Sequence, residues 1–293
     1  MALVKIKPFE YHRPADLDEL LLLLEKYGGE GRIIAGGTDL VPQFKAREVP
    51  TPRHLFDIEN LDELNFIGEK AGAVRIGPVV KHSVLQTSAV VRKKTPVLAE
   101  AVGHLATPQI RNVGTIGGNL CNASPCADTA PPLMVLGAGL KIISPGGERI
   151  VPVEKFFSSA KITALNTMEV LAEIIVDPQP EGYGGAFMKV GRRAGHDMAL
   201  ASGAALVKLQ KGRIEDVRIA LGSVAPTTIR APKTEDYLMG KKYSEKNVLQ
   251  AAEIAAAEIK PISDVRASAE YRRHAVRAII EMTLERAAKA TER

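Results

Sequence analysis

The chain has 293 residues, of which 45% are hydrophobic and 25% charged, the balance of a soluble globular protein long enough for two domains. That composition excludes collagen-like, disordered and coiled-coil chains. The longest aliphatic run, Leu20 to Leu24, is far too short to span a membrane. Lys and Arg (39) exceed Asp and Glu (34) for a net charge of +5, yet there is no Trp and only 4% of residues are aromatic. With no dense basic block either, nucleic acid is not an expected partner. The N-terminus shows no basic stretch followed by a hydrophobic region, which makes the cytoplasm the expected compartment. Two cysteines, Cys121 and Cys126, are too few for a disulfide framework or a four-thiolate cluster.

In chain order, Pro14-Ala15-Asp16 opens a helix carrying Leu17, Leu20, Leu21 and Leu24, and Gly28-Gly29 stops it. Arg32 to Ala35 reads as a short buried strand running into Gly36-Gly37. Alternation between His54 and Pro78 predicts small strands and a hairpin around Lys70 to Gly72. Pro96 begins a helix through Val102 that ends by Thr107-Pro108, and a Gly/Asn-dense loop is expected from Asn112 to Asn122. Leu140–Ile143 and Ile150–Val153 flank the hairpin turn Pro145-Gly146-Gly147. A Pro-rich break at Asp177 to Gly182 sets an expected boundary between domains 1–177 and 178–293. Beyond it Phe187–Val190, Ala204–Leu209 and Val217–Leu221 read as antiparallel strands, the last two joined by Lys211-Gly212. Two closing helices span Val248–Ile259 and Glu270–Lys289, the second with Tyr271, Ala275, Ile279 and Met282 expected on its apolar stripe.

Two glycine segments carry the chemistry. Gly36 and Gly37, free of a Cβ, let consecutive N–H groups converge on an anion, with the Thr38 hydroxyl beside them. Asn112 to Asn119 repeats that composition, with Thr115 and Asn119 as side-chain donors. Two such loops would grip one pyrophosphate from both sides, although each alone is equally a tight turn. Gly-x-Gly-x-x-Gly and Gly-x-x-x-x-Gly-Lys-Ser/Thr are both absent, which excludes a Rossmann or P-loop domain by motif. His82, His104 and His196 are scattered without ligand spacing, so no metal site is expected.

Ala35-Gly36-Gly37-Thr38-Asp39-Leu40 and Thr115-Ile116-Gly117-Gly118-Asn119 resemble the two FAD-binding signatures of the flavoprotein (medium) subunits of molybdenum hydroxylases. This family includes relatives of carbon monoxide dehydrogenase and xanthine dehydrogenase. Asn119 to Pro125 followed by Ala127-Asp128-Thr129, then Phe187 to Arg193, then Arg266 to Arg272 agree in the family's order, so the resemblance covers essentially the whole chain. It implies an α+β architecture. A two-subdomain FAD-binding fold of the vanillyl-alcohol oxidase type would hold the flavin between its halves, followed by a three-stranded antiparallel sheet with helices. It also implies cofactor contacts from Ile33, Ile34, Ala35, Gly36, Gly37, Thr38, Asp39 and Leu40, and from Thr115, Ile116, Gly117, Gly118 and Asn119. Asp128, Leu105, Leu171 and Lys189 join them by the same resemblance. Asp128 is equally a helix cap, leucines such as Leu105 and Leu171 are more often core residues than cofactor contacts, and a one-residue slip would put Met188 in place of Lys189.

The implied role is an oxidoreductase subunit that holds dissociable FAD. Molybdopterin would sit on a large partner subunit and [2Fe–2S] clusters on a small one, and electrons would leave to an external acceptor such as NAD or a quinone. No catalytic side chain or metal ligand is expected on this chain, because the chemistry is the flavin's. Cys126 departs from the family pattern, and two cysteines exclude the extra cluster of the hydroxybenzoyl-CoA reductase branch. An autonomous FAD-dependent reductase or oxidase of the same fold, and a basic non-enzymatic binding module, stand as alternatives.

Overall fold

The computed structural model describes residues 6–193 and 198–291. The first lobe is a three-stranded parallel sheet, β1 (Glu10–His12), β2 (Gly31–Ile34) and β3 (His54–Asp57), in the order β1-β3-β2. Between its strands run α1 (Leu17–Tyr27) and α2 (Leu40–Ala46). Helix α1 starts where the sequence predicts, since the Asp16 carboxylate accepts the Glu19 N–H at 2.8 Å. Leu20 and Leu24 bury its apolar face with Phe56, Ile58 and Leu61.

The second lobe is built on a five-stranded antiparallel sheet, ordered β4-β5-β10-β6-β7. Its strands are β4 (Ile67–Lys70), β5 (Ala73–Ile76), β6 (Gly139–Ser144), β7 (Gly147–Pro152) and, after a small β8 (Phe157–Ser159) and β9 (Ile162–Thr163) ribbon, β10 (Val170–Val176). Both expected hairpins form, β4–β5 and β6–β7. Short helices fill the connection: α3 (His82–Thr87), α4 (Ala89–Lys94), α5 (Pro96–His104), α6 (Pro108–Arg111), α7 (Ile116–Cys121) and α8 (Ala130–Val135), with α9 (Val153–Phe156) after β7. Helix α7 corrects the expected Asn112–Asn122 loop. Thr107-Pro108, expected to end the preceding helix, instead opens α6, with the Thr107 hydroxyl capping it at 3.2 Å.

The C-terminal part forms a four-stranded antiparallel sheet, β11 (Tyr183–Val190), β12 (Ala201–Gln210), β13 (Arg213–Gly222) and β14 (Ile229–Arg230), followed by α10 (Pro232–Leu238), α11 (Glu245–Glu258) and α12 (Ala269–Ala290). The three expected strands are present and the two-residue β14 adds a fourth. Lys211 and Gly212 turn the β12–β13 hairpin with φ of 50° and 73°, the left-handed pair that a two-residue turn of this hand requires. One face of the sheet packs on α11 and α12. Phe187, Ala204, Leu206 and Ala220 of the opposite face join the core around α5 and α8. Strand β12 is therefore buried on both sides, and the preceding lobe shares a hydrophobic core with the C-terminal sheet.

Candidate functional site

Strand β2 delivers the first glycine segment. Ile33 and Ala35 pack on the core of the first lobe, and Ile34 pairs with Asp57. The backbone then turns at Gly36, where an added Cβ would stand 2.0 Å from the Val113 carbonyl oxygen, and at Gly37, whose φ is +65°. Neither position accepts another residue without distortion. Among the described residues, the N–H groups of Gly36, Gly37, Thr38 and Asp39 have no hydrogen-bond partner in the chain. The Thr38 hydroxyl is likewise uncommitted and Asp39 is exposed. Val41 N–H, bonding to Gly37 O at 3.0 Å, begins α2 just beyond, with Leu40 as its first residue. Four successive free amides around a positive-φ glycine suit an anion.

The second segment lies against the first. A Cβ on Gly114 would come within 3.3 Å of Thr38 Oγ1, and Gln43 Nε2 donates to Asn122 Oδ1 at 3.1 Å. The two segments differ in kind, however. The expectation that the second repeats the first's free amides is corrected by the structure. Ile116 N–H bonds to Val80 O at 3.0 Å, Gly117 N–H to Pro78 O at 2.8 Å and Asn119 N–H to Thr115 O at 3.0 Å. Thr115 caps α7, its Oγ1 accepting the Gly118 N–H at 3.1 Å. Gly117 serves packing, since a Cβ there would sit 2.6 Å from Pro78 O. Gly118 is exposed, and a Cβ on it would meet only Thr115 Oγ1, at 2.9 Å. What this segment offers a ligand is a bare glycine surface, the Thr115 hydroxyl proton and the amide NH₂ of Asn119, whose Oδ1 is taken by Thr129 Oγ1 at 2.6 Å.

Asp128 follows directly from that contact. Its Oδ2 accepts from Lys189 Nζ at 2.7 Å, and its Oδ1 is buried with no partner. Burial pushes the carboxyl up to about 6 even though the Lys189 ammonium pulls it down. The capping alternative for Asp128 is not realised: α8 takes Thr129 as its N-cap without a side-chain bond. Lys189, on the face of β11 turned towards the preceding lobe, is the residue in this pair. Met188 faces the other way, its sulfur accepting from Arg286 at 2.8 Å. An orphaned buried carboxylate oxygen suits a ligand that donates a hydroxyl, as the free backbone amides of the first segment suit an anion. Leu105 is buried at the end of α5, with its carbonyl held by Arg111 Nη1 at 2.7 Å. Leu171 belongs to the main core on β10, so its apolar contacts are with the protein.

The histidines divide differently from the sequence reading. His82 is buried beside Gly114 with an unpartnered Nδ1, and burial drives it down to about 4. His104 lies 6.2 Å from the Phe187 ring, and His196 is outside the described residues. Strand pairing instead gathers Glu10, His12 and His54, a grouping hidden from spacing rules because 42 residues separate the two imidazoles. Residues Arg192 and Arg193 line, with Met198, Leu200 and Arg266, a surface hollow of about 480 Å³.

Residues 7–180 match the family described as the FAD-binding domain in molybdopterin dehydrogenase, and residues 186–287 match the CO dehydrogenase flavoprotein C-terminal domain. The medium chain of carbon monoxide dehydrogenase from Hydrogenophaga pseudoflava is 36% identical over 264 residues, covering 90% of this chain and 91% of that one. The glyceraldehyde dehydrogenase medium chain of Sulfolobus acidocaldarius is 36% identical over 272 residues, covering 92% and 95%. A solved structure of the Hydrogenophaga pseudoflava carbon monoxide dehydrogenase, in a form lacking the Mo-pyranopterin moiety, superposes with a TM-score of 0.94 at 35% identity, covering 98% of this chain and 99% of that one. The chain belongs to the family of FAD-binding medium subunits of molybdenum-dependent dehydrogenases. It is an oxidoreductase flavoprotein subunit. No helix among the described residues is long and apolar enough to cross a membrane.

Proposed function

We propose that this subunit holds FAD non-covalently and relays electrons from [2Fe–2S] clusters on a small partner subunit to an external acceptor such as NAD or a quinone. The molybdopterin site and substrate would reside on a large partner subunit. The flavin, when bound, supplies a carrier able to exchange electrons singly or in pairs. Everything this chain adds is placement. The free amides of Gly36 to Asp39 receive the pyrophosphate, and the bare surface of Gly118 lets it approach from the second side. Thr38, Thr115 and Asn119 donate to its oxygens. Asp128 Oδ1 accepts from a sugar hydroxyl, with Lys189 fixing the carboxylate and bringing the C-terminal sheet to the cofactor. Ile33, Ile34, Ala35, Leu40 and Ile116 support these segments, while Leu105 and Leu171 exclude water.

The flavin fold proper is assigned to 1–177 and the C-terminal α+β domain to 178–293. The unpaired state of Cys121 and Cys126 accords with a reducing, cytoplasmic setting. The observation that supports the reading is the run of four uncommitted amides packed against the Val113–Gly114 stretch of the second segment, in a chain whose relatives are medium subunits. The relatives act in dehydrogenases named for carbon monoxide and for glyceraldehyde, so the substrate is read elsewhere than on this fold. The test is to offer the purified flavin-loaded chain a panel of organic reductants, first alone and then with its two partner subunits. The flavin should be reduced by substrate only in the assembled complex. Steady turnover of an organic substrate by the isolated chain would favour the autonomous flavoenzyme instead.

A further inference from the structure

The geometry points to a second, unrelated binding site: a divalent transition-metal clip of the zinc type, made by Glu10, His12 and His54 on the outer edge of the first lobe. Strands β1 and β3 run parallel with Glu10 opposite His54 and His12 opposite Phe56. Alternate residues of one strand share a face, so the carboxylate and both imidazoles project together. His12 Nε2 and His54 Nδ1 stand 3.0 Å apart. Glu10 Oε2 lies 3.5 Å from His54 Nδ1 and 3.9 Å from His12 Nε2. A tetrahedral zinc ion with ligand bonds of about 2.0–2.1 Å has ligand-to-ligand edges of roughly 3.3 Å. The observed triangle brackets that value with small side-chain movement.

The surroundings suit a bound ion. His54 is stacked on the Tyr27 ring at 4.0 Å and 17°, and His12 is packed between Tyr27 and Phe56 at 5.7 and 5.5 Å. Aromatic walls therefore fix both imidazole planes from below. The Glu10 side chain is 72% exposed and closes the site from solvent, leaving a fourth position for water. Two imidazoles and one carboxylate form a borderline donor set that selects zinc-like ions over magnesium or calcium. Strand β1 has three residues and lies at the sheet edge, so a bridging ion would fasten the part of this sheet with the fewest bonds. His54 opens β3 opposite Gly31, whereas the glycine segment follows Ile34, opposite Asp57. Three residues of strand, about 10 Å, separate the clip from the first glycine segment, so its ligands are distinct from the residues proposed to hold the cofactor.

The experiment uses the full flavin-loaded chain after chelator treatment. Zn²⁺ is titrated calorimetrically, and Co²⁺ is used as an absorbing probe of four-coordinate geometry. One Zn²⁺ per chain should bind at micromolar concentration or tighter and raise the unfolding temperature, with flavin content unchanged. His12→Gln, at a half-buried position, and Glu10→Gln, at an exposed one, should each weaken binding by more than about tenfold, since losing even an outer partner of a ligand costs that much. His274→Gln, on an exposed histidine of α12, should not. Absence of stoichiometric binding, or equal affinity in wild type and His12→Gln, would overturn the assignment. His54 is too buried to carry the test alone, which is why the two less buried ligands are changed.

Discussion

Gly117 and Gly118 are adjacent and identical in sequence terms, yet the first is buried against Pro78 and the second exposed. Pro78 leaves no room for a side chain at Gly117, so Gly117→Ala should cost about 1–3 kcal/mol of stability by overpacking, read as a lower denaturant midpoint. Gly118→Val, which would press only on the Thr115 hydroxyl oxygen, should lower that midpoint less than Gly117→Ala while lowering flavin retention, because its side chain would occupy the proposed approach to the ligand. Equal loss of stability in the two variants would contradict the distinction. The sequence marks both glycines as candidates but not their division of labour, since Pro78 lies far from them along the chain. His82 shows the same limit: one residue among three scattered histidines becomes a buried neutral ring against the second glycine segment. Its ordinary value of 6.5 falls to about 4 through burial, with Arg111 adding repulsion. The fold therefore binds fewer protons here than the unfolded chain. The stability this ring contributes is complete above about pH 6.5 and is lost as pH falls from there through 4, up to roughly 3 kcal/mol. Denaturant midpoints across that window should decline less steeply in His82→Gln than in wild type.

At the level of elements, regular helices and hairpins were legible because their signals are local. Asp16 and Gly28 bracket α1 as expected, and Pro145-Gly146 turns β6 into β7. Elements whose signal is tertiary were not. The Gly-Gly-Asn run in α7 is a poor helix former, yet the Thr115 cap and the bonds to Pro78 and Val80 hold it helical. On α12 the expected stripe holds at its centre, where Ala275 and Ile279 are 4% and 1% exposed, and fails at its ends: Tyr271 and Met282 are 45% and 47% exposed, whereas Arg272 is 3% exposed. The buried guanidinium is spent on the carbonyls of Leu200 and Ser223, at 2.5 and 2.9 Å, and on Asp264 at 3.0 Å. Burial works against Asp264, but the N–H groups of Arg266 and Ala267 and the Arg272 charge hold it down at about 2. Arg272→Met should accordingly destabilise the protein by about 3–5 kcal/mol by stranding these partners. Tyr271→Ala, one residue away, should cost less than about 0.5 kcal/mol. Urea unfolding of the pair checks both.

Across the whole molecule, the two regions that match separate family descriptions are physically one body. Phe187, Ala204 and Leu206 lie in the same core as Leu98, Val102 and Leu133, and Glu100 on α5 bonds both Arg286 of α12 and the Phe187 N–H. The Pro-rich break after Asp177 reads as a linker in sequence because composition reports flexibility of the chain and not what its flanks bury. Thermal unfolding followed by flavin fluorescence and by far-ultraviolet dichroism should give coincident transitions, and excess FAD should raise both by mass action. Separate transitions would show two independent units. Many of the charges are paired across elements, such as Arg149 with Glu169 and Arg277 with Glu253, and such pairs leave the net charge of +5 unchanged.

The most direct measurement of the central claim is the flavin-to-protein ratio of the purified full chain, determined for wild type, Gly37→Val and Gly118→Val after equilibration with excess FAD and removal of the free cofactor. The paired-segment site predicts one dissociable FAD per wild-type chain and a ratio near zero in both variants, with dichroism showing each still folded. A wild-type chain that takes up no FAD, or full retention in both variants, would contradict it.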